Sequence, residues 1–337
     1  MEKILTVSIA SYNVAETLDE ALIPFVECAK RDQIEVLIVD DGSKDNTAEI
    51  GKYYEDLYPE TFRLIKKENG GWGSTLNAGF QYGTGKYFKQ LDGDDYYSKE
   101  NLEAFIDFLA STEADMVYSP FVIFNNQSGA VIRVLGVQDR IIPRTTMNLM
   151  DLHEFFPAMH TVAVKMDILK KNNIQITEHC FYTDVEFVLK AYDVCQTISF
   201  FELPIYYYRL ARDGQSMSIT GVRKNYKDHL KMLKTVLQYE KEHPSTKGEN
   251  NSIHQRLLGV CNMQYIFFFA LEPTAEHREE LKAYDEFLKV NYPQYYNEVG
   301  SKPVQVLRKY GFGLYRIIGP LQTWRDKKRK INIFEGA

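Results

Sequence analysis

An acidic cluster offers the clearest chemistry in this sequence. Asp92, Gly93, Asp94 and Asp95 follow a short apolar run; one residue separates Asp92 from Asp94, and Asp94 and Asp95 are adjacent. Carboxylate oxygens are the ligands that Mg²⁺ and Mn²⁺ prefer, and open positions on such an ion suit phosphate oxygens. A metal that bridges two phosphates stabilises a departing nucleoside diphosphate as a Lewis acid. By itself, however, the pattern is more often an ordinary acidic turn, so its place in the fold matters.

Two further polar segments could contact a nucleotide. Residues 40–43 read Asp-Asp-Gly-Ser, and an acidic side chain there can accept hydrogen bonds from a base or a ribose, although such turns also cap elements. Residues 69–73 read Asn-Gly-Gly-Trp-Gly, and adjacent glycines let backbone N–H groups approach a phosphate. This loop lacks the lysine of a Walker loop, and no GxGxxG follows the first predicted strand. The second absence counts against a dinucleotide-binding oxidoreductase.

Asp184 and three histidines complete the set of candidate residues. Asp184 stands near the predicted start of a helix, where it is either a favourable first-turn acid or a general base for an attacking hydroxyl. His153, His160 and His179 could serve a metal or an acceptor, or could be ordinary surface and core histidines.

Alternating strand and helix signals place the polar segments at one edge of a sheet. Over the first hundred residues the predicted strands are 5–10, 35–39, 62–65 and 87–91, and the predicted helices are 15–31, 47–57 and 73–83. This alternation indicates βαβ units and a mainly parallel, buried sheet. Ligands of such sheets bind beyond the carboxyl ends of the strands, where residues 11–13, 40–43, 69–71 and 92–95 lie. Asp45 or Asn46 is the predicted N-cap of the second helix.

The rest of the chain changes character twice. Residues 115–210 are mixed, with predicted strands at 116–118 and 131–135 and a helix at 183–192. From about residue 222 the pattern is helical, with predicted helices at 224–242, 253–271 and 275–290. Residues 302–330 carry nine basic side chains against one acid, with aromatic residues between them. Such a segment fits an anionic membrane surface, or it is a packed terminal helix with a solvated basic end.

Composition bounds the class of protein. The 337 residues, 45% of them hydrophobic, allow a packed core in one large domain with an appendage or in two domains. The net charge of -6 argues against a general nucleic-acid binder. The four dispersed cysteines indicate reduced thiols in a cytoplasmic protein. The apolar run at 4–10 is too short for a signal peptide, and no run reaches the ~18 residues of a spanning helix, so we expect a soluble or peripheral protein.

In order and spacing, the polar segments together resemble the family 2 glycosyltransferases, which have the GT-A fold. The matching stretches are residues 7–13, 36–45, 69–71, 77–79, 91–95 and 183–186, and residues 208–209 with 215–216 resemble the family's loop beyond the catalytic acid. The resemblance implies an α/β nucleotide-diphospho-sugar transferase fold, with a mainly parallel sheet flanked by helices. The implied domains are a catalytic domain at 1–220, divided into a nucleotide-binding half (1–95) and an acceptor half (96–220), and a helical C-terminal region at 221–337 with a basic aromatic tail.

The resemblance also implies roles for single residues in an inverting transfer from a UDP-sugar. Asp94 would bind Mn²⁺ or Mg²⁺ directly, Asp92 would bind the metal or the ribose, and Asp184 would be the general base. The implied nucleotide-sugar contacts are Ala10, Tyr12, Asn13, Glu16, Asp41, Asn69, Gly70, Asp92 and Gly93. The implied acceptor-side residues are His160, Arg209 and Arg212.

Three departures from the family pattern refine this reading. Thr183 replaces the glutamate that usually precedes the base, so the support of the base is altered while the base is kept. Residues 211–216 lack the histidine that completes the metal shell in many relatives, and Arg212 could instead steady the diphosphate. The QxxRW signature of processive synthases is absent, which favours addition of a single sugar.

The leading hypothesis is therefore a bacterial glycosyltransferase that acts on a cell-surface glycan, such as a cell wall or capsule polysaccharide, or on its lipid-linked precursor. We expect it in the cytoplasm, peripheral on the inner face of the membrane through residues 302–330, with a homodimer possible through the helical region. Two alternatives stay open. A sugar-phosphate nucleotidyltransferase needs a basic glycine-rich loop after the first strand, which residues 10–13 do not supply, and a non-catalytic nucleotide-sugar-binding protein would not need Asp184.

Overall fold

The computed structural model describes residues 2–138, 141–153, 155–210, 219–244 and 252–328. By their contacts, the described residues up to 210 form one compact unit and those from 219 form a second, apart from a break at 245–251. We call these the first and the second unit.

The first unit alternates strands and helices as the sequence predicts. In chain order its strands and α-helices are β1 (Leu5–Ser11), α1 (Leu18–Glu27), β2 (Ile34–Asp40), α2 (Thr47–Leu57), β3 (Phe62–Lys66), α3 (Trp72–Tyr82), β4 (Tyr87–Asp92), β5 (Tyr96–Tyr97), α4 (Lys99–Ser111), β6 (Met116–Tyr118), β7 (Phe121–Asn125), β8 (Val131–Leu135), β9 (Thr146–Asn148), β10 (Val162–Lys165), α5 (Met166–Lys171), α6 (Asp184–Val194), β11 (Thr197–Phe200) and β12 (Tyr206–Leu210).

An eight-stranded sheet forms the centre of this unit, in the order β3-β2-β1-β4-β10-β6-β11-β9. The strands β3, β2, β1 and β4 are parallel, while β10 runs antiparallel to both of its neighbours. The apolar side chains of β1 and β2 are buried on both faces, as expected of parallel strands covered by helices. The sheet is thus mixed, with its parallel half built by the first hundred residues.

A second sheet of four strands, in the order β5-β12-β7-β8, lies beside the acidic cluster in sequence. Strand β5 begins one residue after Asp95 and pairs antiparallel with β12, and β12 pairs parallel with β7. This pairing brings residues 206–210 next to residues 92–97, more than a hundred positions earlier in the chain.

Two helix starts differ in detail from the sequence prediction. Helix α1 begins at Leu18 and not at residue 15, because the carbonyl of Val14 accepts from the N–H groups of Thr17 and Leu18 in a preceding turn. At α2, Asn46 occupies the N-cap position but its side chain makes no capping bond. The carboxylate of Asp45 accepts from the Thr47 N–H at 3.1 Å instead, so Asp45 satisfies this helix end.

The second unit is helical, as predicted. Its described helices are α7 (Ile219–Glu242), α8 (Ser252–Ala270), α9 (Ala275–Asn291), α10 (Pro293–Glu298), α11 (Lys302–Tyr310) and α12 (Tyr315–Lys328). A buried polar contact ties α8, α9 and α11: Asp285 accepts from the Tyr265 hydroxyl at 2.6 Å and from Arg308 at 2.8 Å. Among the helices described, none is both long and apolar enough to cross a membrane. All four cysteines of the chain are buried, and none of them forms a disulfide.

Candidate active site

The carboxyl ends of β1, β2 and β4 meet at one edge of the large sheet. Ala10 pairs with Val39 of β2 on one side and with Asp92 of β4 on the other. The N–H of Gly93 donates to the carbonyl of Ala10 at 3.0 Å, which fixes the first residue after β4 beside β1. The convergence that the strand pattern predicts is therefore present, with Ala10 and Gly93 in contact.

Three carboxylates form a compact acidic cluster at this edge. Asp92, Asp94 and Asp95 each place one oxygen within 4.8 Å of the others. Burial, supported by the charges of Asp94 and Asp184, raises the pKa of Asp92 to about 7 despite an opposing hydrogen bond from Trp72. Burial and the two neighbouring charges likewise raise the pKa of Asp95 well above its usual range. Asp92 and Asp95 thus resist ionisation in this cluster, which is the condition that a bound cation relieves.

The three acids differ in how they are held. Asp95 is buried, and its carboxylate accepts from the Tyr206 hydroxyl at 2.6 Å and from the Arg209 N–H at 2.8 Å. Asp92 accepts from the indole N–H of Trp72 at 2.7 Å. Asp95 is therefore the most firmly held of the three carboxylates, while Asp92 and Asp94 are less buried. Carboxylate oxygens are hard ligands, and three of them this close together fit a divalent cation such as Mg²⁺ or Mn²⁺.

Arg209 lies behind the acidic turn and not on an acceptor surface. Its side chain is buried, and its guanidinium donates to the carbonyl of Asp94 at 2.6 Å and to the Asn126 side chain at 2.6 Å, and pairs with Glu20. The bond to Asp94 holds the acidic turn, and the other two contacts tie β12 to the residue after β7 and to α1. The prediction that Arg209 contacts the acceptor does not agree with this position, because long-range pairing of β12 turns the side chain toward the cluster.

Asp41 organises the glycine loop from the inside. Its carboxylate accepts from the N–H groups of Gly70 and Gly71 at 2.9 and 2.8 Å and from the Lys67 ammonium at 2.7 Å, and its carbonyl accepts from Asn69. The residue is 2% exposed. A base or ribose would have to displace these bonds to reach the carboxylate, so the geometry favours a loop-holding role over the direct nucleotide contact that the resemblance implies.

The loop after β1 presents an exposed aromatic ring. Tyr12 is 50% exposed, and Glu16 is exposed beside it. Asn13 adopts a left-handed φ of 53°, and its side chain accepts from the Lys44 N–H at 2.8 Å while its own N–H donates to Ser43. Asn13 thus joins the loops that follow β1 and β2, and Tyr12 and Glu16 stand at their open rim.

Asp184 begins α6 and lies within electrostatic reach of the acidic cluster, because its charge raises the pKa of Asp92. The segment before α6 packs on the glycine loop and α3. Asn77 of α3 exchanges two hydrogen bonds with Ile176 at 2.8 and 2.9 Å, and the carbonyl of Thr177 lies so close to Gly73 that a Cβ there would be 2.3 Å away. The position of Asp184 is therefore set by the same loop that follows β3.

The backbone before Asp184 is strained. His179 and Tyr182 have left-handed φ values of 50° and 67°, which residues other than glycine seldom adopt. Strain of this kind is concentrated at functional sites. Thr183, which stands where relatives carry a glutamate, is buried, and its hydroxyl has no partner among the described residues.

His160 is enclosed below the cluster. Its ring stacks on Phe121 at 4.8 Å and packs against Tyr206 and Tyr208, and both ring nitrogens are buried without a hydrogen-bond partner in the described chain. Burial, and the charge of Lys89, lower its pKa to about 3. An acceptor contact by His160 does not fit this enclosure. His153 and His179 are exposed.

Two residues of the site, Trp72 and Tyr206, receive no role from the sequence alone. A third residue, Arg212, is predicted from the sequence but lies outside the described residues. Trp72 is named in the sequence as part of the glycine loop but is given no function there. A tryptophan between two glycines is unusual enough to have drawn attention to it. Tyr206 gives no signal beyond its place in a strand. Residues 215–216, like Arg212, lie outside the described residues.

Comparisons with known proteins agree with this geometry. Residues 6–172 match the model of the family described as glycosyl transferase family 2. The chain is 27% identical, over 69% of its length, to the minor teichoic acid biosynthesis protein GgaB of Bacillus subtilis. Its structure is similar to S. aureus TarS 1-349 in complex with UDP-GlcNAc, with a TM-score of 0.70, 19% identity and coverage of 96% of this chain and 92% of that one. The mannosyltransferase PcManGT from Pyrobaculum calidifontis, in complex with GDP-Man and Mn²⁺, gives a TM-score of 0.56 at 15% identity, covering 100% of this chain and 89% of that one.

The chain spans only part of some relatives. It covers 26% of GgaB and 36% of TarS, a poly(ribitol-phosphate) beta-N-acetylglucosaminyltransferase to which it is 25% identical over 63% of its own length. The family match includes the strand ends and the acidic cluster, whereas Asp184 lies beyond it. The chain belongs to glycosyl transferase family 2 and has the GT-A fold.

Proposed function

We propose that this protein is an inverting glycosyltransferase that moves a single sugar from a UDP-sugar to a glycan or lipid-linked acceptor. The observation that carries the proposal is that Trp72 contacts both sides of the site: its indole N–H donates to Asp92 at 2.7 Å, and its ring packs on Phe187 of α6, the helix that begins at Asp184. A cluster for a leaving diphosphate and a carboxylate for an incoming hydroxyl are the two halves of such a transfer.

On the donor side, Asp94 and Asp92 would hold Mn²⁺ or Mg²⁺, with Asp95 as their buried support. When bound, the ion would neutralise charge on the leaving diphosphate as a Lewis acid. The exposed ring of Tyr12 and the Asn69–Gly70 backbone stand at the same sheet edge and would contact the nucleotide. Asp41 would act indirectly, by holding Gly70 and Gly71 in place.

On the acceptor side, Asp184 would take the proton of the attacking hydroxyl. An attack from the face opposite the diphosphate inverts the configuration at the anomeric carbon, and one base then suffices. Relatives named for teichoic acid and poly(ribitol-phosphate) chemistry support a bacterial cell-wall glycopolymer as the acceptor class. The structural similarity to a protein in complex with UDP-GlcNAc supports a UDP-sugar as the donor.

A donor panel tests the central claim. Thermal shift and hydrolysis are measured with UDP-glucose, UDP-galactose, UDP-GlcNAc and UDP-GalNAc, each with and without Mn²⁺. We expect at least one donor to stabilise the protein and to be hydrolysed slowly in the presence of metal. A protein that responds to no donor with metal present would contradict the proposal.

Asp184→Asn separates the enzyme from a non-catalytic binding protein. The variant should bind the responding donor with unchanged affinity, because the change is isosteric, while transfer falls by roughly 10²–10⁴-fold through loss of the base. Transfer at a near wild-type rate would show that another group is the base. If the wild-type protein binds a donor but transfers no sugar to water or to poly(ribitol-phosphate), the result would favour the non-catalytic binding protein.

We further propose that α11 and α12 dock on an anionic membrane surface from the cytoplasmic side. Residues 299–325 contain no acid, and the exposed side chains of these helices combine bases with apolar groups. The exposed members are Lys302, Val306, Lys309, Tyr310, Arg316, Ile317 and Leu321. Apolar groups that enter the headgroup region beside bases that meet anionic lipids are typical of interfacial helices. The predicted bases from Arg325 onward lie outside the described side chains.

Co-sedimentation with vesicles tests this docking. The double variant Ile317→Glu, Leu321→Glu should pellet less with phosphatidylglycerol vesicles than the wild-type protein, whereas Val290→Glu, at an exposed position of α9, should pellet equally. Equal pelleting of all three proteins would contradict docking through this face. The homodimer expected of the helical region stays a prediction, which light scattering checks.

A further inference from the structure

Strand β12 presents two tyrosines to the acidic cluster and one away from it. Side chains alternate along a strand, so Tyr206 and Tyr208 share a face while Tyr207 takes the other. The hydroxyl of Tyr206 donates to Asp95 at 2.6 Å, which identifies its face as the one toward the cluster. Tyr207 stacks on Tyr96 of the neighbouring strand at 5.0 Å.

The ring of Tyr208 is held, but its hydroxyl is not used. The ring packs on His160 at 5.0 Å, and His160 is itself stacked on Phe121 at 4.8 Å. The side chain is half-buried. Within the part of the chain that the structure describes, the phenol makes no hydrogen bond, in contrast to Tyr206 two residues earlier. A phenol that is oriented by packing and makes no hydrogen bond within the protein is available to donate one to a bound ligand.

The surroundings of this phenol define what it would meet. Burial, and the carboxylates of Asp95, Asp92, Asp94 and Asp184 in decreasing order, raise the pKa of Tyr208. The phenol therefore keeps its proton near neutral pH and acts as a donor. Tyr208 lies on the same face of β12 as Tyr206, whose hydroxyl donates to Asp95, and both rings pack against His160, so the Tyr208 side chain stands on the side of the acidic cluster.

We propose that the Tyr208 hydroxyl is a further substrate-binding group, which donates a hydrogen bond to a phosphate oxygen of the nucleoside diphosphate held at the cluster. The inference rests on the proposed function. Strand β12 would then contribute to the donor site in two ways. Tyr206 and Arg209 hold the acidic residues in place, and Tyr208 contacts the diphosphate that binds there. A phosphate oxygen supplies the acceptor that the protein itself does not supply.

Tyr208→Phe tests the proposal, with Tyr207→Phe as the matched control. Each change removes one hydroxyl and keeps the ring, so packing on His160 or on Tyr96 is preserved. Affinities for UDP and for uridine, which lacks phosphate, are measured by calorimetry in Mn²⁺. We expect Tyr208→Phe to weaken UDP binding roughly tenfold, the contribution of one hydrogen bond to a charged group, and to leave uridine binding and the melting temperature unchanged. Tyr207→Phe, which loses a hydroxyl that contacts Ser98 and not the cluster, should match the wild-type protein in both affinities.

Each other outcome overturns the inference. Wild-type UDP affinity in Tyr208→Phe would show that the hydroxyl does not contact the diphosphate. Equal weakening of UDP and uridine, or a lowered melting temperature, would show a structural role. A wild-type protein that does not bind UDP would overturn the proposed function as well, which distinguishes that failure from failure of the Tyr208 contact alone.

Discussion

At the scale of single residues, the site depends on hydrogen bonds that orient acids rather than on the acids alone. Asp92 is oriented by Trp72, and Asp95 by Tyr206 and Arg209. Carboxylates that must share one cation need fixed directions, because repulsion would otherwise turn them apart. Trp72 also packs edge-on against Phe187 of α6 at 6.5 Å, so one indole contacts both the cluster and the helix that carries Asp184.

Trp72→Phe should lower the rate of donor hydrolysis by roughly tenfold, because the variant loses the bond to Asp92 but keeps an aromatic ring against Phe187. The measurement is kcat and KM for hydrolysis at saturating Mn²⁺, with the melting temperature recorded beside it. Tyr53→Phe, at an exposed position of α2, is the control and should leave the rate unchanged. Unchanged kinetics in Trp72→Phe would refute the orienting role.

At the scale of elements, two segments hold the donor and acceptor sides together. The glycine loop and α3 contact residues 176–180 through Asn77, Gly70 and Gly73. Because those residues lead directly into α6, a shift of the loop is transmitted to Asp184. This contact depends on the absence of a side chain at Gly73.

Gly73→Ala should displace residues 176–180, since the added Cβ would lie 2.3 Å from the Thr177 carbonyl. We expect a loss of about 1–3 kcal/mol in the free energy of unfolding and a larger loss of transfer than of UDP binding. Gly259→Ala is the control: nothing lies within 4 Å of its Cβ, and alanine favours the helix by up to ~1 kcal/mol. Denaturant unfolding measures both variants, and equal stability would refute the close contact.

Helices α7 and α8 bury a histidine between them. His229 is 4% exposed, its ring contacts Gln264 at 2.7 Å, and burial lowers its pKa from 6.5 to about 4. The unfolded chain binds the proton more readily, so the stabilising contribution is complete above pH 6.5 and is lost as the pH falls toward 4. The loss amounts to roughly 3 kcal/mol at 1.36 kcal/mol per unit.

His229→Gln should therefore flatten the fall in the free energy of unfolding between pH 6.5 and pH 4. Denaturant unfolding at several pH values measures the slope. The control is His243→Gln, an exposed histidine directly after the end of α7, which should keep the wild-type slope. An unchanged slope in His229→Gln would mean that another group titrates in this window.

At the scale of the whole molecule, a metal ion held at the acidic cluster, as proposed, would couple metal binding to folding. Buried carboxylates that repel one another cost stability, and an ion that binds only the folded state offsets this by mass action, by about 2.7 kcal/mol at a hundredfold excess over Kd. The proteins related in fold include one in complex with Mn²⁺.

Mn²⁺ should raise the melting temperature of the wild-type protein, and EDTA should reverse the rise. Asp94→Asn should lose most of the rise because it removes a ligand, whereas Glu276→Gln, at an exposed position of α9, should keep it. Differential scanning fluorimetry across a Mn²⁺ titration measures the shift. An equal rise in Asp94→Asn would place the ion elsewhere.

The sequence by itself determined the fold family, the strand ends and the acids that meet there. Those features are local: runs of apolar residues define strands, and strand ends of a parallel sheet converge whatever the side chains do next. Tertiary structure decided which polar groups point inward. Asp41 and Arg209 are buried and hydrogen-bonded within the protein, and the ring of His160 is enclosed by aromatic rings, because their partners lie far away in sequence. The pairing of β12 with β5 joins Tyr206 to Tyr97 and Tyr207 to Tyr96, more than a hundred positions apart, and no periodicity in the chain encodes which hydroxyl, Tyr206 or Tyr208, will find an acid.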